Sequence, residues 1–369
     1  MGAHRERIRA GPGDGIVRRT RRERIQRLSL AGGRSISGAI AALLLAVVVA
    51  STASDARAQT KVRLAVGGQS ALYYLPLTVT DRLGYFKDEG LDVEISDLSG
   101  GARALQALMG GSADVVTGAF DHTIQMQAKS QPITAVVQLG RFPGFVLALT
   151  GPKARSYRGP ADLKGMKIGV TAPGSSTHFM ILHMMAQAGL KADDAAFVGV
   201  GAGSTAVAAA KRGEIDALVS VDPVINLLES ENVIRIAADT RTMEGTRAVY
   251  GGPYPAAVLY IPPSYIQKNP KTVQSLANAF VRGLKWIASH PAEEIARVMP
   301  PEHALGNMEL FVRSIRSSVP MYSPDGRMSR ESAETALKVL REFDDSVRNA
   351  RIDLATTYTL EFADKASAK

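Results

Sequence analysis

A spacing repeat constrains this chain more than any other feature. Gly-x9-Gly-x2-Asp occurs at Gly101, Gly111 and Asp114, and again at Gly203, Gly213 and Asp216, 102 positions further on (203 − 101). Alanine-rich stretches, Ala102–Met109 and Ser204–Arg212, lie between the glycines. Short apolar runs, Val115–Thr117 and Ala217–Val219, follow the aspartates. A helix stopped at a glycine, then a turn, then a buried strand is half of an α/β crossover. Two copies predict two similar α/β lobes, with a ligand's place between them.

The remaining pattern alternates strand and helix, which argues for mostly parallel sheets. Strands are expected at Lys61–Val66, Asp92–Asp97, Ile133–Leu139, Lys167–Val170, Phe197–Val200 and Val233–Ala237. Helices are expected at about Leu72–Leu83, Asp121–Lys129 and Val224–Glu229. Phe145–Thr150 reads as a first crossing between lobes and Ala256–Ile261 as the return. On that reading residues 59–147 begin lobe 1, residues 148–252 form an inserted lobe 2, and residues 253–369 return to lobe 1. The tail from Pro263 is helical, and its segments Lys271–Ser289 and Met328–Val347 are expected to pack on lobe 1.

Residues 1–58 read as an export leader: an arginine-rich start, a twelve-residue apolar run at Ala39–Ala50, and small residues at Ala56 and Ala58 for cleavage after Ala58. The run is shorter than the roughly 20 residues of a spanning helix. Arg24 follows the Arg18-Arg19 and Arg21-Arg22 pairs where a twin-arginine signal prefers an apolar residue, which favours the general secretory route. The leader carries eleven Arg and four acids, a net of +7 out of +9, so the mature chain is close to neutral at +2. That balance excludes a nucleic-acid-binding face. Cysteine is absent, which excludes disulfides, thiolate metal sites, cysteine nucleophiles and a lipidated cysteine anchor. The expected product is a periplasmic monomer.

No catalytic set, metal spacing or nucleotide fingerprint is evident, so no cofactor and no metal is expected. What recurs is the strand, small-residue turn, helix junction, whose helix N-terminus offers unpaired N–H groups to a ligand at the strands' carboxyl ends. Pro173-Gly174-Ser175-Ser176-Thr177 is the best example, with Ser175 and Ser176 either capping the helix or contacting a ligand. Gly68, Gln69 and Ser70, Gly101, and Phe120 with Asp121 belong to the corresponding junctions of lobe 1. Tyr73 and Tyr74 follow the first junction, and Tyr254 precedes the return crossing. Arg141, near the first crossing, is either a two-point partner for a carboxylate or sulfonate or a surface arginine. Asp222 either accepts from a ligand amine or caps the Val224 helix. Asp114 and Asp216 are assigned to turns. Ser317, in the tail, is expected to stand apart from the ligand.

The run Leu83-Gly84-Tyr85-Phe86-x-Asp88-Glu89-Gly90-Leu91-Asp92-Val93, the repeats, Asp162-Leu163-Lys164-Gly165-x-Lys167-Ile168-Gly169-Val170 and Asp222-Pro223 resemble substrate-binding proteins of ABC importers. The nearest class is the nitrate/sulfonate/taurine and thiamine-pyrimidine-precursor group. The resemblance implies an α/β, two-lobed type II periplasmic-binding fold. Such a protein closes on its ligand by hinge motion and then docks on a membrane permease. It also implies cleft-lining roles for Gly67–Ser70, Gly118–Asp121, Ser175–His178 and Asp222. Many relatives carry tryptophan where this chain has Val221. A small organic anion is the expected ligand, and a pyrimidine held by Asp121 or Asp222 and the tyrosines is the alternative. The superfamily also contains enzymes, among them a eukaryotic pyrimidine synthase with a cysteine-rich segment that this chain lacks.

Overall fold

A computed structural model describes residues 59–368; the expected leader and its cleavage site lie outside the described residues. The strands are β1 (Thr60–Val66), β2 (Leu91–Asp97), β3 (Val115–Ala119), β4 (Thr134–Gln138), β5 (Val146–Thr150), β6 (Lys167–Val170), β7 (Ala196–Gly199), β8 (Ala217–Ser220), β9 (Ile234–Asp239) and β10 (Ala257–Ile261). They form two five-stranded sheets, ordered β2-β1-β3-β10-β4 and β7-β6-β8-β5-β9. In each sheet four strands share one direction and one opposes it. The opposed strands are β10, antiparallel to β3 and β4, and β5, antiparallel to β8 and β9. Each opposed strand is the one by which the chain arrives from the other sheet. The central strands β3, β5, β8 and β10 are buried along their whole length, as strands covered on both faces must be.

The helices that matter here are α1 (Leu75–Arg82), α2 (Gly101–Met109), α3 (Asp121–Ala128), α4 (Ser176–Gln187), α5 (Ser204–Lys211), α6 (Val224–Ser230) and α7 (Met243–Tyr250). The tail adds α8 (Pro270–Ser289), α9 (Met308–Ser318), α10 (Arg330–Phe343) and α11 (Glu361–Ser367). The helix expected from Leu72 instead begins with one tight 3-10 turn at Leu72–Tyr74, and α7 has no counterpart in the sequence reading.

The repeat is a structural device. Gly111 and Gly213 take left-handed backbone (φ 76° and 67°) and end α2 and α5. The Asp114 carboxylate accepts the backbone N–H of Arg63 in β1 at 2.9 Å, and Asp216 accepts that of Lys167 in β6 at 2.8 Å. Each aspartate's own N–H donates back to the carbonyl of the same partner (2.8 and 2.7 Å). The pair of bonds carries each chain turn into the next strand of its sheet.

The long tail helix α8 buries Val273, Leu276, Ala277, Phe280, Val281, Leu284 and Ile287, a three-to-four spacing that makes one apolar face. That face packs on α1, β4 and α11 of lobe 1, as expected. The segment around α10 differs from the expectation by also reaching lobe 2. It packs on α4 as well as α3, with Phe343 against Phe179 (5.6 Å between rings) and Glu342 2.8 Å from His183. From α9, Ser314 accepts a hydrogen bond from the Asn226 amide at 2.7 Å. The tail is thus rooted on lobe 1 and leans on both.

Phe280 is fully buried, edge-on to Phe86 with ring centres 5.3 Å apart. Phe280→Ala should lower unfolding free energy by about 3–5 kcal/mol in urea titrations. Lys271→Ala, on the exposed face of the same helix, should change it by no more than about 0.5 kcal/mol.

Candidate functional site in the interlobe cleft

The ends of the two sheets meet around a cavity of about 30 Å³. Lobe 1 contributes Gly67 and Ala71 after β1, Tyr73 and Tyr74 in the tight turn, Gly101 at the start of α2, and Ala119 and His122 around the end of β3. From the second sheet come Phe145 at the entry to β5, Thr171 and Ser175–Thr177 after β6, Ala202 after β7 and Val221 after β8. The volume is room for about two waters, at roughly 10–15 Å³ each. The two lobes therefore meet closely around it.

Four hydrogen bonds join the lobes across this seam. The Ser175 hydroxyl accepts the N–H of Ala102 at 2.9 Å, so it satisfies the N-terminus of α2 in lobe 1 and leaves its own helix uncapped. Ser176 donates its hydroxyl to the Asp121 carboxylate. His122 Nε2–H donates to the Gly174 carbonyl at 3.2 Å, and Leu72 N–H to the Asp222 carbonyl at 2.8 Å. Small residues permit the approach: a Cβ on Gly100 would lie 2.7 Å from that of Ala172, and one on Gly68 2.8 Å from that of Ala202.

Asp121 is fully buried beneath Ser176, and Tyr254 donates to the same carboxylate oxygen at 3.1 Å. Its other oxygen has no partner. Burial pushes the Asp121 carboxyl up, against the pull of His122, Ser176 and Tyr254. Burial pushes His122 down, keeping its ring neutral, with Nδ1 as the unpartnered acceptor. No lysine or arginine lines the cavity. Its aromatic wall is Tyr73 stacked on Phe145 (5.3 Å, 20°), with Tyr74 edge-on to Tyr73 and the Tyr73 hydroxyl buried without a partner.

Of the residues expected to bind, Tyr73, Tyr74, Gly101, Ser175, Ser176 and Thr177 line the cavity, and Asp121 and Tyr254 stand directly behind Ser176. Thr177 is committed within lobe 2, 2.8 Å from the Thr171 hydroxyl. Gly68 and Gln69 turn their N–H groups onto Asp97 (2.7 and 3.0 Å), and Ser70 faces Gly203 across the seam, so this turn forms the rim. Phe120 lies in the lobe 1 core against Tyr358. His178 accepts the Gly174 N–H at 3.0 Å and packs on Phe197; burial lowers it to about 4, and it braces the turn from inside lobe 2. Arg141 is exposed and donates to the Pro320 carbonyl, away from the cavity. The sequence reading passed over His122, Phe145, Thr171 and Ala202 as ligand neighbours, while Gly67 and Val221, which it had placed at the cleft, do line the cavity. All lie at or near strand ends in the junctions it did recognise, and that position was the available signal.

Asp222 faces a second cavity of about 350 Å³, next to Arg241, Asn226 and Ser317. One carboxylate oxygen accepts the Asn226 N–H at 3.0 Å, capping α6 as one expectation had it. Ser317, expected to stand apart, lines this cavity. Burial raises the Asp222 carboxyl from 3.8 to about 6 despite Arg241 nearby.

Gly100→Ala should wedge the seam without unfolding either lobe. Small-angle scattering should then report a larger radius of gyration than wild type, and an unchanged radius would mean that the seam yields elsewhere. For Asp222 the folded state holds its proton more tightly than the unfolded chain. Its contribution to stability is therefore present below about pH 4 and lost as pH rises through about 6. Asp222→Asn keeps an acceptor for Asn226 and should gain on wild type by about 2–3 kcal/mol between pH 4 and pH 7. Urea titrations at the two pH values measure the difference.

The chain matches the family model described as NMT1/THI5 like over residues 71–294. Two curated relatives are similar at low identity. A 4-amino-5-hydroxymethyl-2-methylpyrimidine phosphate synthase of Aspergillus parasiticus is 27% identical over 255 residues, 66% of this chain and 72% of that one. A formylaminopyrimidine-binding protein of Halalkalibacterium halodurans is 24% identical over 319 residues, 84% and 92% of the two chains. A solved structure from Bordetella bronchiseptica RB50 is 46% identical with a TM-score of 0.82, covering 84% of this chain and 98% of its own. The alkanesulfonate-binding protein SsuA of Xanthomonas axonopodis pv. citri, bound to MOPS, shares the fold at 16% identity and a TM-score of 0.63, covering 83% and 100%. With two crossed lobes, a seam of strand-end residues between them and a family match over more than half its length, the chain belongs to the NMT1/THI5-like family.

Proposed function

We propose that this protein is the periplasmic solute-binding component of an ABC importer, and that its cleft captures a small nitrogen heterocycle of the aminopyrimidine class for delivery to a permease. The observation that carries the ligand class is Asp121. It is a buried carboxylate with one free oxygen, beside a cavity that no lysine or arginine lines. Such a group repels an anion and accepts N–H donors, which an exocyclic amine and a protonated ring nitrogen supply side by side. The Tyr73–Phe145 wall offers a flat face to a ring, and neutral His122 and the Tyr73 hydroxyl complete the polar set. Two relatives named for pyrimidines support the same class.

In this reading Ser176 stands in for the ligand. Its hydroxyl occupies Asp121 where the lobes meet, and opening of the lobes carries Ser176 away with lobe 2. The ligand then takes its place on Asp121, and the lobes close over the ring at a wider setting than the 30 Å³ seam. The neutral seam bonds contribute only about 0.5–1.5 kcal/mol net each and the one to the Asp121 carboxylate about 1.5–3, so ligand contacts of the same kind can replace them. A small organic anion is the second reading, favoured by the N-terminus of α2, whose Ala102 N–H is held only by the Ser175 hydroxyl.

Thermal-shift and calorimetric titrations with 4-aminopyrimidines and with alkanesulfonates separate the two readings. Aminopyrimidines should bind and, at about 100 times Kd, add about 2.7 kcal/mol of stability. Asp121→Asn should weaken them at least about tenfold, since it removes a charged acceptor worth about 1.5–3 kcal/mol. Binding of sulfonates alone, unaffected by Asp121→Asn, would overturn the assignment. Steady product formation from a bound pyrimidine would move the protein to the enzymes of its family.

A further inference from the structure

Tyr73 and Val221 line the small cavity and the 350 Å³ cavity alike, so these two side chains are the partition between them. The second compartment joins apolar walls to a cluster of polar side chains. Asp222, Asn226 and Arg241 from lobe 2 face Ser317 and Ser318 at the end of α9, with Pro143 and Gly144 of the first crossing beside them. Both compartments therefore have walls that belong to different moving parts.

The charges of the second compartment are unevenly satisfied. Arg241 grips Asp239 through Nε and Nη2 (2.7–3.1 Å) and donates to Asn226 Oδ1 at 2.8 Å. Glu229 lies 3.6 Å from the same guanidinium. One cation thus answers three carboxylates. Asp222 is the one left short: it is 4% exposed, one oxygen is spent on Asn226, and the other lies 3.7 Å from Arg241, beyond hydrogen-bond reach. A buried carboxylate with an open oxygen, in a cavity with excess negative charge, is completed by a compact cation carrying N–H donors.

We infer that the ligand is bipartite: a flat ring lies in the small compartment, and an arm ending in a primary ammonium passes between Tyr73 and Val221 to Asp222. This rests on the aminopyrimidine reading for the ring and extends it to the arm. The small compartment alone is far below the roughly 300–1,000 Å³ of ordinary ligand pockets, and the second brings the cleft into that range. Valine at 221 keeps the partition thin, whereas a large ring there would fill the passage.

Calorimetry with three probes tests the arm: a 4-aminopyrimidine bearing at ring position 5 a methyl group, a butyl group or an aminopropyl group. The aminopropyl probe should bind at least about tenfold tighter than the butyl probe, the worth of one charge-assisted hydrogen bond. In Asp222→Asn that ratio should fall to about one. In Val221→Trp both long probes should weaken relative to the methyl probe. The ratios are taken within one variant, so a loss of folded fraction common to all probes cancels. Equal binding of the butyl and aminopropyl probes, or a ratio that survives Asp222→Asn, overturns the arm and leaves the ring. Failure of all three probes to bind wild-type protein overturns the ring and the arm together.

Discussion

Everything in this molecule hangs on two strands that cross. β5 runs against β8 and β9, and β10 runs against β3 and β4, each arriving in one sheet directly from the other. A strand hydrogen-bonded on both sides inside a buried sheet is hard to shift, so the lobes cannot slide past each other. The proposed function places its hinge at the links beside the crossings, the short Gly140–Phe145 and the longer Thr240–Ala256 that carries α7. The crossings also set the facing edges: with four strands parallel in each sheet, the carboxyl ends of β1, β3, β6 and β8 are brought to one seam.

That constraint explains why the fold was legible in the sequence and the site only partly. The repeat fixes a helix stop, a turn and a strand start twice, and each of its aspartates is held by the neighbouring strand of its own sheet. These are local devices, and local devices leave local signatures. The buried runs at β5 and β10 mark the crossings for the same reason. Tyr73 stacked on Phe145, or Ser175 reaching across to Ala102, is a contact between residues 72 and 73 positions apart whose partners carry no shared pattern. Arg141 illustrates the reverse case: its chemistry suits an anion, but the chain directs it to the Pro320 carbonyl on the tail. The reach of α10 onto lobe 2 was equally hidden, because its apolar spacing says that a face is buried and not which lobe buries it.

The seam itself is a balance of small terms. Its hydroxyls and glycines allow backbone to approach backbone, and its hydrogen bonds tie each lobe's polar ends to the other. None of these contacts is strong, and two of them, at Ser175 and Ser176, can be reproduced by a ligand's own atoms. The Tyr73–Phe145 stack adds apolar packing to these polar contacts, so parting the lobes would also expose that surface. On the proposed reading, ligand binding changes which atoms occupy Asp121 and the α2 N-terminus more than the architecture around them.

Charge placement decides what the cleft can select. A buried carboxylate is unfavourable in an empty protein, and this chain holds two, Asp121 and Asp222, both raised by burial and each with an oxygen left open. In the proposed function that cost is the counterpart of specificity, because a ligand with matching N–H donors relieves both. On that reading an anion relieves neither carboxylate. The same logic accounts for where the cations stand: Arg241 is tied down by Asp239 and Asn226, close enough to keep Asp222 within reach of ionisation and too far to satisfy it. The set of partners around both carboxylates is incomplete, and on the proposed reading a ligand's donors complete it.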